Sequence, residues 1–173
     1  MKNFLIFLSI SFFVFNFSNS EEIKIAYVDV DRILNNSNVG KEIKLKLDNL
    51  SKKKASNFKK IEKQLKETEK KISQQQNILS KEEFQKKVRE LQEKGNNFQK
   101  DVRKSKNEII TTNRKATSEI LTLLNKILAN FASENSISII LQKKNIVIGK
   151  ADLEITDEVM EIFNKKVKKI ELN

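Results

Sequence analysis

Histidine, cysteine, proline and tryptophan are all missing from this 173-residue chain, and glycine occurs only three times, at Gly40, Gly95 and Gly149. Each absence excludes a chemistry. Without His or Cys there is no zinc finger, no His/Cys metal centre, no Ser-His-Asp triad and no thiol nucleophile. Three scattered glycines make no phosphate-cradling loop. A lack of proline removes the usual helix breaker and permits very long uninterrupted helices. Hydrophobic residues reach only 38% against 33% charged ones, which is thin for one compact core and fits a small core joined to something elongated and solvated. Positive charge is in excess, 34 Lys/Arg against 23 Asp/Glu for a net of +11. That points to an acidic partner: nucleic acid, an anionic lipid surface or an acidic protein.

The first twenty residues narrow the choice. Lys2 is followed by an almost purely apolar run from Phe4 to Phe17 and then by Ser18-Asn19-Ser20. A positive start, a short apolar stretch and small residues at −3 and −1 predict a secretory signal peptide over residues 1–20, cut before Glu21. The alternative is an uncleaved N-terminal anchor, although the run is short of the roughly 20 residues that span a bilayer. No Cys follows, so the start is not of the lipoprotein kind. Export argues against nucleic acid as the partner, and a Cys-free exported chain has no disulfides to stabilise it.

Past the leader, residues 21–40 and 132–173 read as a β-rich body with a C-terminal helix, and residues 41–131 as a helical hairpin arm with its tip near 74–80. Ile23 to Val30 is β-branched and aromatic and predicts a strand buried on both sides. Asp31 to Asn36 predicts a helical turn, after which Ser37 or Asn38 caps a long helix. The outgoing beat of that helix is Leu47, Leu50, Ala55, Phe58, Ile61, Leu65, Ile72 and Leu79, with a slip near Lys52–Lys54. The returning beat runs cleanly through Phe84, Val88, Leu91, Gly95, Phe98, Val102, Ser105, Ile109, Thr112 and Ala116, a heptad seam with several small members. Between them, Ser80 and Glu83 form a capping box that starts the second helix. Each arm helix of about 35–40 residues would reach roughly 55–60 Å.

After the arm, Ile137–Leu141 and Ile146–Ile148 predict two short strands, with Lys143-Lys144-Asn145 as a hairpin turn between them. Thr156 is expected to cap a last helix whose stripe is Val159, Ile162, Phe163 and Val167. Three short strands leave open edges and a thin core, which predicts a homo-oligomer.

The charge is not spread evenly. Residues 41–115 carry 23 Lys/Arg and 11 Asp/Glu, a net of +12, whereas the rest of the chain after residue 20 carries 10 against 12, a net of −2. Solvated i,i+4 pairs explain the number of charges on a helix but not their imbalance. Leu50, Ile78, Ile110, Leu121 and Leu128 lie off or beside the seam and add an apolar contact surface. The basic cluster of the return helix is Arg103, Lys104 and Lys106, with Arg114 and Lys115 further on. These five are the candidate client- and anion-binding residues. No catalytic, cofactor or metal site is expected. An enzyme would have to rely on carboxylates such as Asp29, Asp31 or Asp152, of which Asp29 falls on a strand and Asp31 reads as a helix cap.

Ile25-Ala26-Tyr27-Val28-Asp29-Val30 with Ser37 and Gly40-Lys41 at one end, a long basic hairpin, and two short strands followed by Glu154-Ile155-Thr156-Asp157-Glu158-Val159 at the other resemble the Skp/OmpH family of periplasmic chaperones. The resemblance covers the whole chain beyond the leader. It implies an α+β fold, a jellyfish-like homotrimer in which a β-rich trimerisation body holds three coiled-coil tentacles around a cavity. It further implies an ATP-independent holdase for unfolded outer-membrane proteins, not an enzyme and without cofactors. The family's basic tentacle residues have been associated with lipopolysaccharide, so an anionic lipid surface joins unfolded barrels as an implied partner, and no nucleic acid is expected. The competing function is an exported coiled-coil adaptor that docks its basic arm on an anionic membrane or cell-wall surface.

Overall fold

Residues 23–171 are described by the computed structural model; the expected signal peptide lies outside the described residues. Strand β1 (Ile25–Val28) leads directly into helix α1 (Val30–Asn36), and then come α2 (Asn38–Gln74), α3 (Lys81–Glu134), β2 (Ile139–Gln142) and α4 (Thr156–Lys166). The long helices begin on strong local signals. Ser37 caps α2, its side chain accepting from the Gly40 N–H, and Ser80 caps α3 in the expected reciprocal box with Glu83. The Ser80 hydroxyl and N–H both donate to the Glu83 carboxylate and hold its pKa below the ordinary value. At about 1.5 Å per residue, the 37 residues of α2 span ~55 Å and the 54 of α3 ~80 Å.

The strands pair in parallel, Ile25 opposite Ile139 through Val28 opposite Gln142. A parallel pair needs a crossover connection, and here the crossover contains the whole helical hairpin. The other edge of β1 is met by Glu154 and Ile155, the Ile155 N–H donating to the Tyr27 carbonyl at 2.9 Å. Ala26, Val28 and Ile140 point from the sheet into the core, where they meet Ile33, Val39, Ile120, Leu124, Val159 and Phe163. Removing each such large side chain from water contributes about 1.5–3 kcal/mol. The α4 stripe is as expected: Val159, Phe163 and Val167 are buried, and Ile162 packs beside them.

At its C-terminus α3 leaves through a Schellman turn, with Ile137 N–H donating to Ala132 O at 2.9 Å and Ser136 N–H to Ser133 O. Ser136 takes the left-handed position, φ 54°, and Ile137 drops onto the core.

The α+β organisation, a small strand-bearing body with a long helical hairpin, is therefore present, but three local expectations change. Residues 146–148 form no strand. Lys143–Asn145 is a 3-10 turn that sends the chain back towards Tyr27, whose hydroxyl donates to the Lys150 carbonyl at 3.1 Å. With no strand beside them, Val147 and Ile148 project outwards, 97% and 91% exposed. Secondly, Asp29 rather than Asp31 caps α1, accepting from the Arg32 N–H at 2.8 Å, and it stands just past the strand, not on it. Thirdly, Thr156 does not cap α4, whose N-cap is Ile155. The fully buried Thr156 hydroxyl instead accepts from the Asp29 N–H at 2.9 Å and donates to Glu154 Oε1, bonding the end of the chain to its beginning. Lys143 closes the same network, and its ammonium holds the Glu154 carboxyl below the usual carboxylate range.

Candidate functional site

The arm is the part of the molecule that its own body does not use. Two helices in contact can bury only one stripe each, and here most of that stripe stays half-buried. On α3 it follows the expected returning beat from Phe84 to Ala116, all partly or wholly covered. On α2 it runs through Lys54, Phe58, Ile61, Leu65, Thr68 and Ile72 to Gln75 just past the helix end, with Leu50 and Ala55 exposed. Lys54 replaces Ala55 because it alone keeps the four–three spacing to Phe58 and Ile61, and its aliphatic stem can lie along the seam while the ammonium reaches water. The seam has few strong contacts. Phe58 meets Phe98 edge to face at 5.9 Å, and near the tip the Lys87 ammonium bonds the Gln75 side chain at 3.2 Å. At Gly95 an added side-chain carbon would touch nothing within 4 Å beyond the helix's own adjoining backbone.

Loose packing leaves grooves on both flanks. Ile61, Leu65, Thr68, Lys94, Phe98 and Asp101 line one of about 610 Å³. Leu65, Leu91, Gly95, Asn96, Phe98 and Gln99 line another of about 570 Å³. Nearer the body, Ile43, Leu47, Ile110, Asn113, Thr117 and Ile120 line a third of about 520 Å³. Four ion pairs one turn apart neutralise acids along α2: Glu42–Lys46, Asp48–Lys52, Glu62–Lys66 and Lys63–Glu67. Lys46 lowers the pKa of Glu42, and Glu62 raises that of Lys66.

All five candidate cations, Arg103, Lys104, Lys106, Arg114 and Lys115, are exposed on α3, but they are not one cluster. Each residue turns a helix by about 100°. Arg103 and Lys106 fall on the flank of Asn96, Gln99 and Ile110, Lys104 and Lys115 on the flank of Asp101, and Arg114 on the ridge away from the seam. Of the apolar residues expected off the seam, Leu50, Ile78 and Ile110 are exposed, whereas Leu121 and Leu128 are partly covered and Leu128 packs on the core. Among the described residues there is no carboxylate cluster suited to a metal ion, and no helix is long and apolar enough to cross a membrane.

A family profile described as "Outer membrane protein (OmpH-like)" matches residues 24–163. The chain belongs to the OmpH-like family. Its matched stretch runs from the residue before β1 into α4, so both ends of the body and the entire arm are included. The OmpH-like fold is also found in a crystal structure from Caulobacter crescentus CB15, provisionally assigned as an outer membrane chaperone. That structure is 18% identical, has a TM-score of 0.81, and the match covers 88% of this chain and 90% of that one. No curated protein matches the chain.

One surface was not singled out in the sequence. Ile25 and Ile139 are register partners, and Leu141 lies on the same sheet face, the one turned away from the core. They are 42%, 46% and 43% exposed, and Val147 and Ile148 add to the body's uncovered apolar residues. The signal available is the alternation along β2, where only Ile140 packs inwards.

Proposed function

We propose that the chain is an ATP-independent periplasmic holdase, exported by a cleavable leader, that assembles as a homotrimer and keeps unfolded outer-membrane proteins from aggregating between its arms. The observation that carries this reading is the division of surfaces. A net-positive arm with an incompletely closed seam and open grooves extends from a near-neutral body that leaves an apolar sheet face and the outer edge of β2 uncovered. An open edge with apolar residues beside it favours self-association, which would bring several arms side by side around a shared space. Capture would combine long-range attraction for acidic precursors with many weak apolar contacts, so release needs no fuel. The reading requires no catalytic group. Binding of lipopolysaccharide or another anionic lipid to the arm's cations is the further partner it allows.

The decisive experiment dilutes a urea-unfolded barrel protein into buffer with and without the leaderless protein and follows light scattering. Suppression at one trimer per client is expected, and none at that ratio overturns the holdase. Mass measurement in solution should return three copies, falling to one when Leu141→Lys and Ile148→Lys charge the uncovered face.

A further inference from the structure

Asn96, Gln99, Arg103, Lys106, Ile110 and Asn113 are spaced three and four apart, so they stand in one row on α3. The grooves fix where that row lies. Asn96 and Gln99 line the one floored by Leu65 and Phe98, and Ile110 and Asn113 line the one beside Ile43 and Leu47. Arg103 and Lys106 bridge the two. From Asn96 to Asn113 the row covers about 25 Å at the helical rise.

This flank differs from its opposite in kind of charge. No carboxylate stands in the row, and Arg103 and Lys106 enter no ion pair among the described residues. The row across the seam, Lys94, Asn97, Asp101, Lys104 and Glu108, alternates in sign. On the near flank α2 contributes Asp48 and Glu62, but each is held by a lysine one turn on, at 2.6 and 2.9 Å; Glu69 stands at the outer end of the upper groove.

Three chemistries are thus aligned. The carboxamides of Asn96, Gln99 and Asn113 each offer a donor and an acceptor, which suits peptide groups that have no secondary structure. Arg103 and Lys106 suit carboxylates. Ile110, 39% exposed at a groove's mouth, offers an apolar contact. A bilayer would need a broad apolar face, and this row has one large apolar side chain.

We propose that this flank is the client-contact face of the arm and takes an extended, carboxylate-bearing stretch of unfolded polypeptide, about eight residues long at roughly 3.3 Å per residue. The inference rests on the holdase reading and sharpens it.

Two variants with equal charge loss test it in the otherwise intact leaderless protein: Arg103→Gln with Lys106→Gln on the near flank, and Lys94→Gln with Lys104→Gln on the far one. The probe is a fluorescently labelled, urea-unfolded acidic barrel protein, bound at several salt concentrations. The near-flank variant should bind about fivefold more weakly with a flatter salt dependence, and the far-flank variant should change by less than about twofold. A photo-crosslinker should capture client from position 99 and not from position 97. Equal losses in both variants, or crosslinking mainly from position 97, overturn the assignment of the face and leave the holdase standing. Failure of the unsubstituted protein to bind unfolded client overturns both. A near-flank loss confined to phosphatidylglycerol vesicles, with client binding intact, overturns the proposal in favour of a lipid surface.

Discussion

The two halves of α3 are one uninterrupted helix, yet they are in different physical situations. Below Ala116 the helix is held by α1, α2, α4 and the sheet. Ala116, Ile120, Leu124 and Ile127 are buried on successive turns, Leu124 completely. Above it only α2 is alongside, and apart from Ser105 every seam position of α3 stays partly exposed to water. What changes between the two halves is the number of neighbours. The body can therefore hold a fixed geometry, while the arm opens at low free energy because few buried contacts oppose opening. Charge follows the same division, +12 on residues 41–115 and −2 on residues 21–40 and 116–173 together. Self-repulsion is tolerated where there is little packing to disrupt.

The substitution expected to strike hardest is Gly40→Ala. A side-chain carbon at Gly40 would lie 2.1 Å from the Leu34 carbonyl oxygen. That obstacle is backbone, so α1 and α2 would have to separate at the point where Ser37 caps the long helix. A loss on the order of 3 kcal/mol is expected, with a fall in melting temperature of roughly 10 °C. An unchanged melting curve would mean that the body is not held as closely as its core implies.

A smaller loss should follow Thr156→Val. Valine fills the same volume, but it leaves the Asp29 N–H without its acceptor and removes the donor that meets Glu154. About 1–3 kcal/mol should disappear from the urea-unfolding free energy, and Thr156→Ser, which keeps the hydroxyl, should restore most of it. A loss in Thr156→Ser with none in Thr156→Val would show that the methyl group's packing, and not the hydrogen bonds, matters here.

Which features were legible in the sequence depends on how far away their causes lie. The Ser80–Glu83 box and the return seam were legible because a cap and a heptad are local patterns. Gly40 stood out as a motif residue, but its reason is a carbonyl in the preceding helix. The role of Thr156 was hidden because its partner is 127 residues away in the chain. Residues 146–148 have strand-forming side chains, but a strand also requires a neighbour, and the 3-10 turn at Lys143–Asn145 denies them one. Arg103, Lys104 and Lys106 looked like a cluster because they are close in number, with Arg114 and Lys115 further on. The helix disperses them around its surface: Arg103 and Lys106 share a flank with two grooves, Lys104 and Lys115 lie on the flank of the other, and Arg114 stands on the ridge between.

Gly95 supplies the opposite case to Gly40 and the smallest expected effect. It lies in the middle of α3, where glycine is less favourable than alanine by about 1 kcal/mol. Beyond the helix's own adjoining backbone, no atom lies within 4 Å of the position a new side-chain carbon would take. Gly95→Ala should therefore stabilise, where Gly40→Ala destabilises. If the arm opens as its own unit, the gain belongs to that local equilibrium. Amide hydrogen exchange of the neighbouring turns of α3 should slow by about fivefold, the factor that corresponds to ~1 kcal/mol, while the global melting temperature scarcely moves. Faster exchange around position 95 would show that the seam is better closed there than its half-buried side chains imply. A rise in global stability with no local change would show that arm and body unfold together, and the contrast between a fixed body and a yielding arm would have to be given up.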